Sequence, residues 1–346
     1  MKRITSHQVA RLANVSRTTV SFVLNDVSDM GISLETRERV LEAAHQLGYV
    51  PNALARSLVS GATRTIGLLM PHDDQVHANV DAYIPRFLTG VTLTCQSRGY
   101  KVLFEPLNSA APADTLAHLV DSGRIDGLIA LNPRREDLSY LNDAAANGFP
   151  LVVFGSSIAG YDSIHSLDAD NRDAARRATA HLLALGHRRI AHIGFAADDY
   201  PIVRERLLGF RDAMQAADTD VDPAWIGYGN YSAASGEEAM RAILARRPGI
   251  TALFAGNDTI AFGAMAALRD AGLRTPDDVA IVGYDDIPLA AYASPPLTTM
   301  RTEPFNEGSR AAAMLLRIIA GEQPEQEHSQ AEVPLVIRRS CGARTG

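Results

Sequence analysis

The strongest constraint on the fold is a repeated alternation of short apolar runs with stretches long enough to form a helix. The runs lie at 66–70, 101–104, 127–131, 151–154, 190–193, 252–255 and 279–282. This alternation predicts βαβ units and therefore parallel sheets. A chain of 346 residues is too long for one typical core, and the rhythm restarts at residue 190. We therefore predict an α/β body of two doubly wound, parallel-sheet lobes.

The first fifty residues follow a different pattern, which predicts an all-α head of three short helices. Each helix is expected to begin after a residue type that caps helix N-termini, namely Thr5, Ser16 and Ser33. The predicted helices are 6–13, 17–24 and a third that ends at Gly48, a residue type that tolerates the left-handed C-terminal position. The apolar side of the first helix is predicted to comprise Val9, Ala10, Leu12 and Ala13.

The second helix has one apolar and one polar side. At 100° per residue, its apolar side holds Val20, Val23 and Leu24, and its outward side holds Arg17, Thr18, Ser21, Phe22 and Asn25. Arg17 can bond a guanine twice, and the other outward groups have lengths that reach base edges. The phosphate-facing set is expected to comprise Ser16 and Thr19, and the DNA-binding set also includes Thr5 and Ser6. The alternative is a helical hairpin with a solvated polar face.

The charge is distributed unevenly along the chain. Residues 1–60 hold seven Lys/Arg and five Asp/Glu, a net charge of +2, whereas the whole chain carries −7, which leaves −9 for the remainder. A basic head on an acidic body suits a DNA-binding unit joined to a sensor. Two distant cysteines form no disulfide framework, and no apolar run is long enough for export or membrane insertion. We therefore expect a cytoplasmic protein.

Ligands of doubly wound sheets bind beyond the carboxyl ends of the strands. The candidates there are His72, Asp73, Asp74, Phe154, Asn257 and Asp285. Carboxylates with an amide suit a hydroxylated ligand. Two neighbouring acids have a simpler interpretation, because Asp258 can cap the helix that begins at Thr259 and Asp286 can cap a turn. The three histidines His181, His187 and His192 are expected on the surface or in the core rather than on a metal.

Several motifs are recognisable and resemble those of one family, the lactose-repressor (LacI/GalR) family. In the head they are Val9-Ala10, Val15 to Ser21, Asn25 and Tyr49 to Asn52. In the body they are Leu185 to Ile190, Arg206 to Phe210, Asn257-Asp258, Gly283 to Asp286 and Pro296 to Thr299. The resemblance covers nearly all 346 residues. The chain departs from the family pattern at Phe22, where the family often has Arg. It departs again from His72 to Pro85, a stretch that is longer and more polar than the family's segment after the first strand of the body. Phe22 can pack on a thymine methyl group or turn inward as a core residue.

The resemblance implies a helix-turn-helix head at 1–50 and a hinge helix with linker at 51–63. In the family this hinge helix pairs with its dimer mate in the minor groove, where a leucine at the position of Leu58 wedges between base pairs. The residues implied beside Leu58 are Asn52, Ala55 and Arg56. The hinge helix itself, Pro51 to Val59, has nine residues. These are too few for a stable isolated helix, so the segment would fold on contact with DNA. The alternative is a plain tether.

The resemblance also implies that 64–346 is an effector-binding and dimerisation domain like a periplasmic binding protein. Its first lobe would span about 64–162 and 291–325, and its second about 163–290 and 326–346, with chain crossings near 162, 290 and 325. Arg206 matches a position that bonds a ligand hydroxyl or carboxylate, and Tyr231 matches an aromatic residue that stacks on the ligand.

Together these observations predict a DNA-binding transcriptional regulator, by analogy a repressor, controlled by a sugar-like effector. The expected partners are an operator and a homodimer mate, with a dimer of dimers as the alternative, and no cofactor, metal or membrane is expected. A free-standing sugar-binding protein would have an export signal and no head. An α/β enzyme is the other rival, but the sequence holds no G-x-G-x-x-G, P-loop, G-x-S-x-G or H-E-x-x-H motif.

Overall fold

A computed structural model of the chain describes residues 4–24, 31–50, 61–70, 82–106, 112–155, 160–246, 249–322, 324 and 333–343. The chain divides into two compact units, Met1–Arg64 and Thr65–Gly346. The first unit is all-α and the second is α/β, as the sequence predicts. No helix in the described ranges is long and apolar enough to cross a membrane.

In its described residues, the first unit holds three helices, α1 (Ser6–Ala13), α2 (Arg17–Leu24) and α3 (Leu34–Leu47). Their ends match the sequence prediction because local hydrogen bonds fix them. The Thr5 amide donates to Gln8 Oε1 over 2.9 Å, which forms one half of a capping box. Gly48 ends α3 in the left-handed region at φ 62°.

The head's core is small and built from short side chains. Val9, Val20 and Val40 are fully buried, one from each helix, and alanines of α1 and α3 surround them. Leu12 does not join this core, because 49% of it is exposed. Its predicted inward position was wrong: it projects about 100° away from the direction of Ala13, toward the edge of α1.

The described residues of the second unit form two sheets. The first has the order β2-β1-β3-β4-β5 and is wholly parallel. Its strands are β1 (Thr65–Met70), β2 (Lys101–Pro106), β3 (Gly127–Leu131), β4 (Leu151–Phe154) and β5 (His165–Leu167). Its helices are α4 (Tyr83–Ser97), α5 (Pro112–Asp121), α6 (Asp137–Ala146) and the late helix α11 (Pro304–Ile319). One apolar cluster joins α4 and α11 to the sheet, and a second joins α5 and α6.

The second sheet has the order β11-β10-β9-β8-β6-β7. Its strands are β6 (Ile190–Gly194), β7 (Ile226–Tyr228), β8 (Ala252–Ala255), β9 (Ala280–Asp285), β10 (Thr298–Arg301) and β11 (Leu335–Val336). Only β11 is antiparallel to its neighbour. One apolar cluster joins α7 (Asn171–Ala184) and α8 (Pro201–Ala216) to the sheet, and another joins α9 (Ala233–Ala245) and α10 (Asp258–Asp270).

The chain passes between the lobes later than the resemblance implies. Strand β5 lies beyond residue 162 yet pairs with β4 of the first sheet, and β10 lies beyond residue 290 yet pairs with β9 of the second. The first two crossings therefore follow Leu167 and Arg301. The crossing expected near residue 325 lies outside the described residues.

In the first lobe, helices α4 and α11 pack closely against each other. A Cβ atom on Gly90 of α4 would lie 2.1 Å from the carbonyl oxygen of Phe305 on α11, and one on Gly308 would lie 2.2 Å from the carbonyl oxygen of Phe87. The two helices thus pack backbone against backbone. Since α11 follows β10 of the second sheet in sequence, this contact returns the chain to the first lobe before β11 rejoins the second sheet.

Candidate functional site

The exposed face of α2 carries side chains for which the sequence predicts DNA contact. Arg17 and Thr18 are exposed, and Ser21 and Phe22 are half-buried. Val20 faces the opposite way, into the head's apolar cluster. Phe22 is not one of the residues that form this cluster in the described head, so its outward interpretation fits the structure better than a core role.

The N-terminus of α2 is capped by a side chain. Ser16 Oγ accepts a hydrogen bond from the amide of Thr19 over 3.0 Å and lies 2.9 Å from the Thr19 hydroxyl. Thr5 caps α1 similarly, with Ser6 as the first helical residue. The first turns of helices present amide N–H groups to anions. Both helix starts therefore have chemistry suited to a DNA phosphate.

A cavity lies between the lobes of the second unit, at the carboxyl ends of both sheets. The free space between its walls is about 530 Å³ when the open mouth is counted. Five residues predicted to bind the effector line it: Phe154, Arg206, Tyr231, Asn257 and Asp285. They belong to separate elements of the two lobes, so only the fold brings them together.

Arg206 is the buried cation of this cavity. Its Nε donates to Asn171 Oδ1 over 2.9 Å, and its Nη1 donates to the carbonyl oxygen of Gly256 over 2.5 Å. Its guanidinium carbon lies 3.5 Å from the ring centroid of Tyr284 and 4.9 Å from that of Phe195. Two hydrogen bonds and two aromatic faces fix the guanidinium plane. A rigid fork of this kind is suited to a ligand oxygen.

Asn257 and Asp258 have distinct roles. Asn257 caps α10, since its Oδ1 accepts from the amide of Ile260 over 2.8 Å. The interpretation of Asp258 as the cap was therefore wrong. Asp258 is fully buried, and it accepts from the Thr299 hydroxyl over 2.6 Å and from the Ile287 amide over 2.9 Å. Burial raises the pKa of Asp258 to about 7.

Asp285 enters the cavity from a strained turn. Its backbone φ is 108°, and the φ of the next residue, Asp286, is 50°. Residues other than glycine rarely adopt such values. The amide of Ile287 bonds Asp258, and the carboxylate of Asp286 pairs with Arg301 and Arg338, both at 2.7 Å. These bonds hold the turn in a shape that its backbone alone would not favour.

The sequence analysis missed eight polar or aromatic residues that line the same cavity: Tyr83, Asn132, Asp168, Asn171, Phe195, Tyr284, Thr302 and Glu307. The strand-end rule could have found Asn132 and Phe195, because each directly follows a strand that the sequence predicts. Asp168 follows β5, a three-residue strand that the sequence does not predict. Tyr83 and Glu307 belong to helices α4 and α11, and no sequence signal connects them.

The cavity is rich in carboxyl groups. Asp168, Asp285 and Glu307 line it, together with Arg206. Burial raises the pKa of Asp168 to about 8, against the opposing effects of the Ala169 amide and Arg206. Burial also raises the pKa of Glu307, which accepts a hydrogen bond of 2.7 Å from the Tyr83 hydroxyl. Such an environment disfavours anionic ligands and suits one that donates hydroxyl hydrogens.

In the first lobe, Gly155 leaves room for the polar side chain of Asn132. Asn132 adopts a φ of 47°, and its Oδ1 is buried without a hydrogen bond from the described residues. A Cβ atom at Gly155 would come within 1.8 Å of this oxygen, and Gly155 itself has a φ of 91°. Glycine at 155 therefore makes space for Asn132 at the end of β3.

Eight predicted contact residues lie outside the described residues. They are Asn25, Asn52, Ala55, Arg56, Leu58, His72, Asp73 and Asp74. Among the described residues, no group of three or more His, Cys, Asp or Glu side chains is arranged to hold a metal ion. His181 contacts Cys341, His187 contacts Thr251, and His192 is buried beside Phe254.

Comparison with known proteins agrees with this division of the chain. Residues 5–52 match the bacterial regulatory proteins of the lacI family, and residues 179–341 match a periplasmic binding protein-like domain. The HTH-type transcriptional regulator CelR of Thermobifida fusca is 36% identical over 341 residues, which cover 98% of either chain.

Two solved structures extend the comparison. A transcriptional regulator CelR–cellobiose complex superposes with a TM-score of 0.74 at 34% identity, covering 98% of this chain and 100% of the other. The lac repressor dimer bound to operator and the anti-inducer ONPF superposes with a TM-score of 0.82 at 28% identity, covering 99% and 100%.

A helix-turn-helix head and a two-lobed body with a ligand cavity define a DNA-binding transcriptional regulator. The chain belongs to the LacI family of bacterial regulatory proteins.

Proposed function

We propose that the chain is a repressor whose affinity for its operator is set by a sugar-type effector bound between the lobes. The observation that carries the proposal is the convergence of Phe154, Arg206, Tyr231, Asn257 and Asp285 on one cavity. The sequence predicts each of them, from the strand-end rule or from the family resemblance, and each comes from a different element.

The chemistry of the cavity supports a hydroxylated ligand. Carboxyl oxygens of Asp168 and Asp285 accept hydrogen bonds from hydroxyl groups, and Arg206 donates to ligand oxygens. The rings of Phe154 and Tyr231 offer apolar faces to the carbon skeleton of a sugar. The similar regulator solved with cellobiose supports this ligand class. For His72, Asp73 and Asp74, effector contact remains a prediction from the sequence.

For the DNA we propose that base edges are contacted from the outward side of α2, by Arg17, Thr18, Ser21, Phe22 and Asn25. Phosphates would be bound by Thr5, Ser6, Ser16 and Thr19. The hinge residues Asn52, Ala55, Arg56 and Leu58 would enter the minor groove beside those of a dimer mate, because a two-fold protein suits a two-fold operator. The similar lac repressor is a dimer on its operator, which supports this arrangement.

Effector binding would change operator affinity by a coupling free energy of about 1–3 kcal/mol. The protein would act in the cytoplasm, as a homodimer or a dimer of dimers, without a cofactor. We assign no catalytic step to the cavity, and turnover of a bound sugar would contradict this part of the proposal.

The test is a titration of the purified protein against DNA from its own upstream region, followed by fluorescence anisotropy. It is repeated with cellobiose, other neutral sugars, sugar phosphates and nucleobases. We expect tight, salt-sensitive binding that one sugar shifts about tenfold, which corresponds to 1.4 kcal/mol. Absence of binding to any upstream fragment would contradict the DNA role, and a response to nucleobases alone would contradict the sugar.

The DNA-binding surface is tested with a matched pair of arginine variants. Arg17→Ala should weaken specific binding by about 1–3 kcal/mol, since it removes a base contact. Arg39→Ala is the control, because Arg39 lies on α3 and bonds Glu35 over 3.3 Å. Equal losses in both variants would show a general charge effect and remove Arg17 from base recognition.

A further inference from the structure

The two lobes meet at the rim of the cavity through one cluster, here called the rim latch, formed by Arg134, Arg135, Asp199 and Tyr200. Arg134 follows β3 in the first lobe, and Asp199 and Tyr200 precede α8 in the second. Arg134 Nε donates to the Tyr200 hydroxyl over 3.0 Å and lies 3.6 Å from Asp199 Oδ2. The amide of Arg135 donates to the carbonyl oxygen of Asp199 over 3.1 Å.

Contacts within each lobe fix the residues of the rim latch, independently of the contacts between the lobes. The amide of Arg134 donates to Asp137 Oδ2 over 3.0 Å, and Asp137 is buried at the start of α6. On the other side Tyr200 is fully buried, although its hydroxyl reaches Arg134. The side chain of Arg134 is only 15% exposed, and its guanidinium lies over the Tyr200 ring at 5.3 Å. Preorganised, partly buried contacts of this kind lose little side-chain entropy when they form.

The latch is continuous with the cavity walls on both sides. The Tyr200 ring packs edge-on against Tyr231, with centroids 5.9 Å apart and an interplanar angle of 89°. Tyr231 in turn contacts Phe195 at 5.2 Å, and both line the cavity. In the first lobe Asn132, also in the cavity wall, lies two residues before Arg134. A displacement at the rim therefore reaches the ligand-facing rings through direct contact.

We propose that Arg134 is a positioning residue that holds the lobes together at the rim and thereby slows departure of the effector. Its contacts to Tyr200 and Asp199 exist only while the lobes are closed, so they shift the equilibrium toward the closed state. A ligand enclosed between lobes leaves when they part. The consequence for the effector rests on the proposed function, whereas closure of the rim does not.

Closure is tested on the full-length protein without any ligand, by hydrogen exchange resolved to single amides. The Arg135 amide reports the contact between lobes, and the Asn132 amide, which bonds the Phe154 carbonyl oxygen over 2.8 Å within the first lobe, is the internal reference. Arg134→Ala should accelerate exchange at Arg135 at least tenfold and leave Asn132 unchanged. Unchanged exchange at Arg135, or equal acceleration of both amides, would overturn the proposal.

The effect on ligand exchange is measured by stopped flow with cellobiose, and then with any panel sugar that binds more tightly. Arg134→Ala should raise the dissociation rate about tenfold and leave the association rate within about twofold. Arg135→Ala is the matched control, because it keeps the backbone bond and removes an exposed side chain. Tyr200→Phe should reproduce part of the effect and add nothing to Arg134→Ala.

The two experiments separate the possible failures. If no sugar binds but the Arg135 amide responds, the effector assignment fails and the latch remains. If a sugar binds and dissociates from Arg134→Ala at the rate of the unmodified protein, the latch fails and the proposed function remains. A lower association rate, or the same change in Arg135→Ala, would also overturn the assignment of Arg134.

Discussion

The head and the cavity are both built around polar side chains at the ends of helices and strands, but different bonds hold them. In the head, the capping bonds join residues three positions apart, as between Thr5 and Gln8 or Ser33 and Thr36. In the cavity, Arg206 bonds residues 35 and 50 positions away, and Tyr284 bonds Asn171 across 113 positions. A local bond stabilises one helix, whereas a distant bond stabilises the arrangement of several elements.

This difference sets how far the effect of a substitution should spread. A lost cap in the head frees one amide that water can reach, at a cost of about 1 kcal/mol. A lost group in the cavity leaves buried partners from other elements without their bonds, which costs more because water cannot replace them. Substitutions of decreasing severity therefore test the comparison.

The largest effect is expected for Arg206→Ala. Removal of the guanidinium takes a donor from Asn171 and from the Gly256 carbonyl oxygen and leaves a cavity between two rings. We expect the free energy of unfolding of the second unit to fall by about 3 kcal/mol, and the effector response to be lost. Thermal unfolding and the operator titration measure the two effects.

Arg204→Ala is the control for that experiment, because Arg204 is exposed on the same helix, α8. It should change stability by less than about 0.5 kcal/mol. Operator binding without effector should survive in both variants, since the head is a compact unit of its own. A normal effector response in Arg206→Ala would remove this residue from the ligand site.

An intermediate effect is expected from pH, because buried carboxyl groups of the second lobe titrate near neutrality. The folded-state pKa values of Asp168 and Asp258 are raised to about 8 and about 7 by burial, far above the 3.8 of a free carboxyl. Between those values the folded chain holds protons that the unfolded chain has released, so a rise in pH weakens folding. Burial lowers the pKa of His192 to about 4, which opposes this trend only below about pH 6.5.

The stability of the second unit should therefore fall between pH 6.5 and pH 8, by an amount on the order of 1–2 kcal/mol. Chemical denaturation at a series of pH values measures this slope. Asp168→Asn should remove most of the slope above pH 7, whereas Asp198→Asn, at an exposed position, should retain it. A free energy of unfolding that is constant or rises over this interval would contradict the conclusion that burial raises the pKa of Asp168.

The same contrast explains which features could be predicted from the sequence. All three helices of the head were predicted with correct ends because caps and turns are local signals. The longer strands were predicted for a similar reason, since a buried strand is a continuous apolar run. Four strands, β5, β7, β10 and β11, were not predicted. β5, β7 and β11 have only two or three residues, and β10 (Thr298–Arg301) is not a continuous apolar run.

The cavity was predictable only in part. The strand-end rule identified Asn257 and Asp285, and consistent use of it would have added Asn132 and Phe195. Asp168 was out of its reach, because Asp168 follows the unpredicted strand β5. The assignment of Arg206 and Tyr231 needed the family resemblance, because α8 and the segment before α9 have no local signal for ligand contact. The pairing of Tyr83 with Glu307 across 224 positions depends on helix packing alone. The chemistry of such pairs becomes visible only in the folded chain.

The smallest effect, and the sharpest test of locality, is expected for Ser33. Its side chain accepts from the Thr36 amide over 3.3 Å at the start of α3. Ser33→Ala should destabilise the head by about 1 kcal/mol, and Ser33→Gly by only a few tenths, because glycine leaves the cap amides open to water. Hydrogen exchange of the α3 amides measures the loss, while the unfolding midpoint of the second unit should not move. A shift of that midpoint would mean that the two units unfold together, and the distinction between local and distant bonds would then not govern how damage spreads.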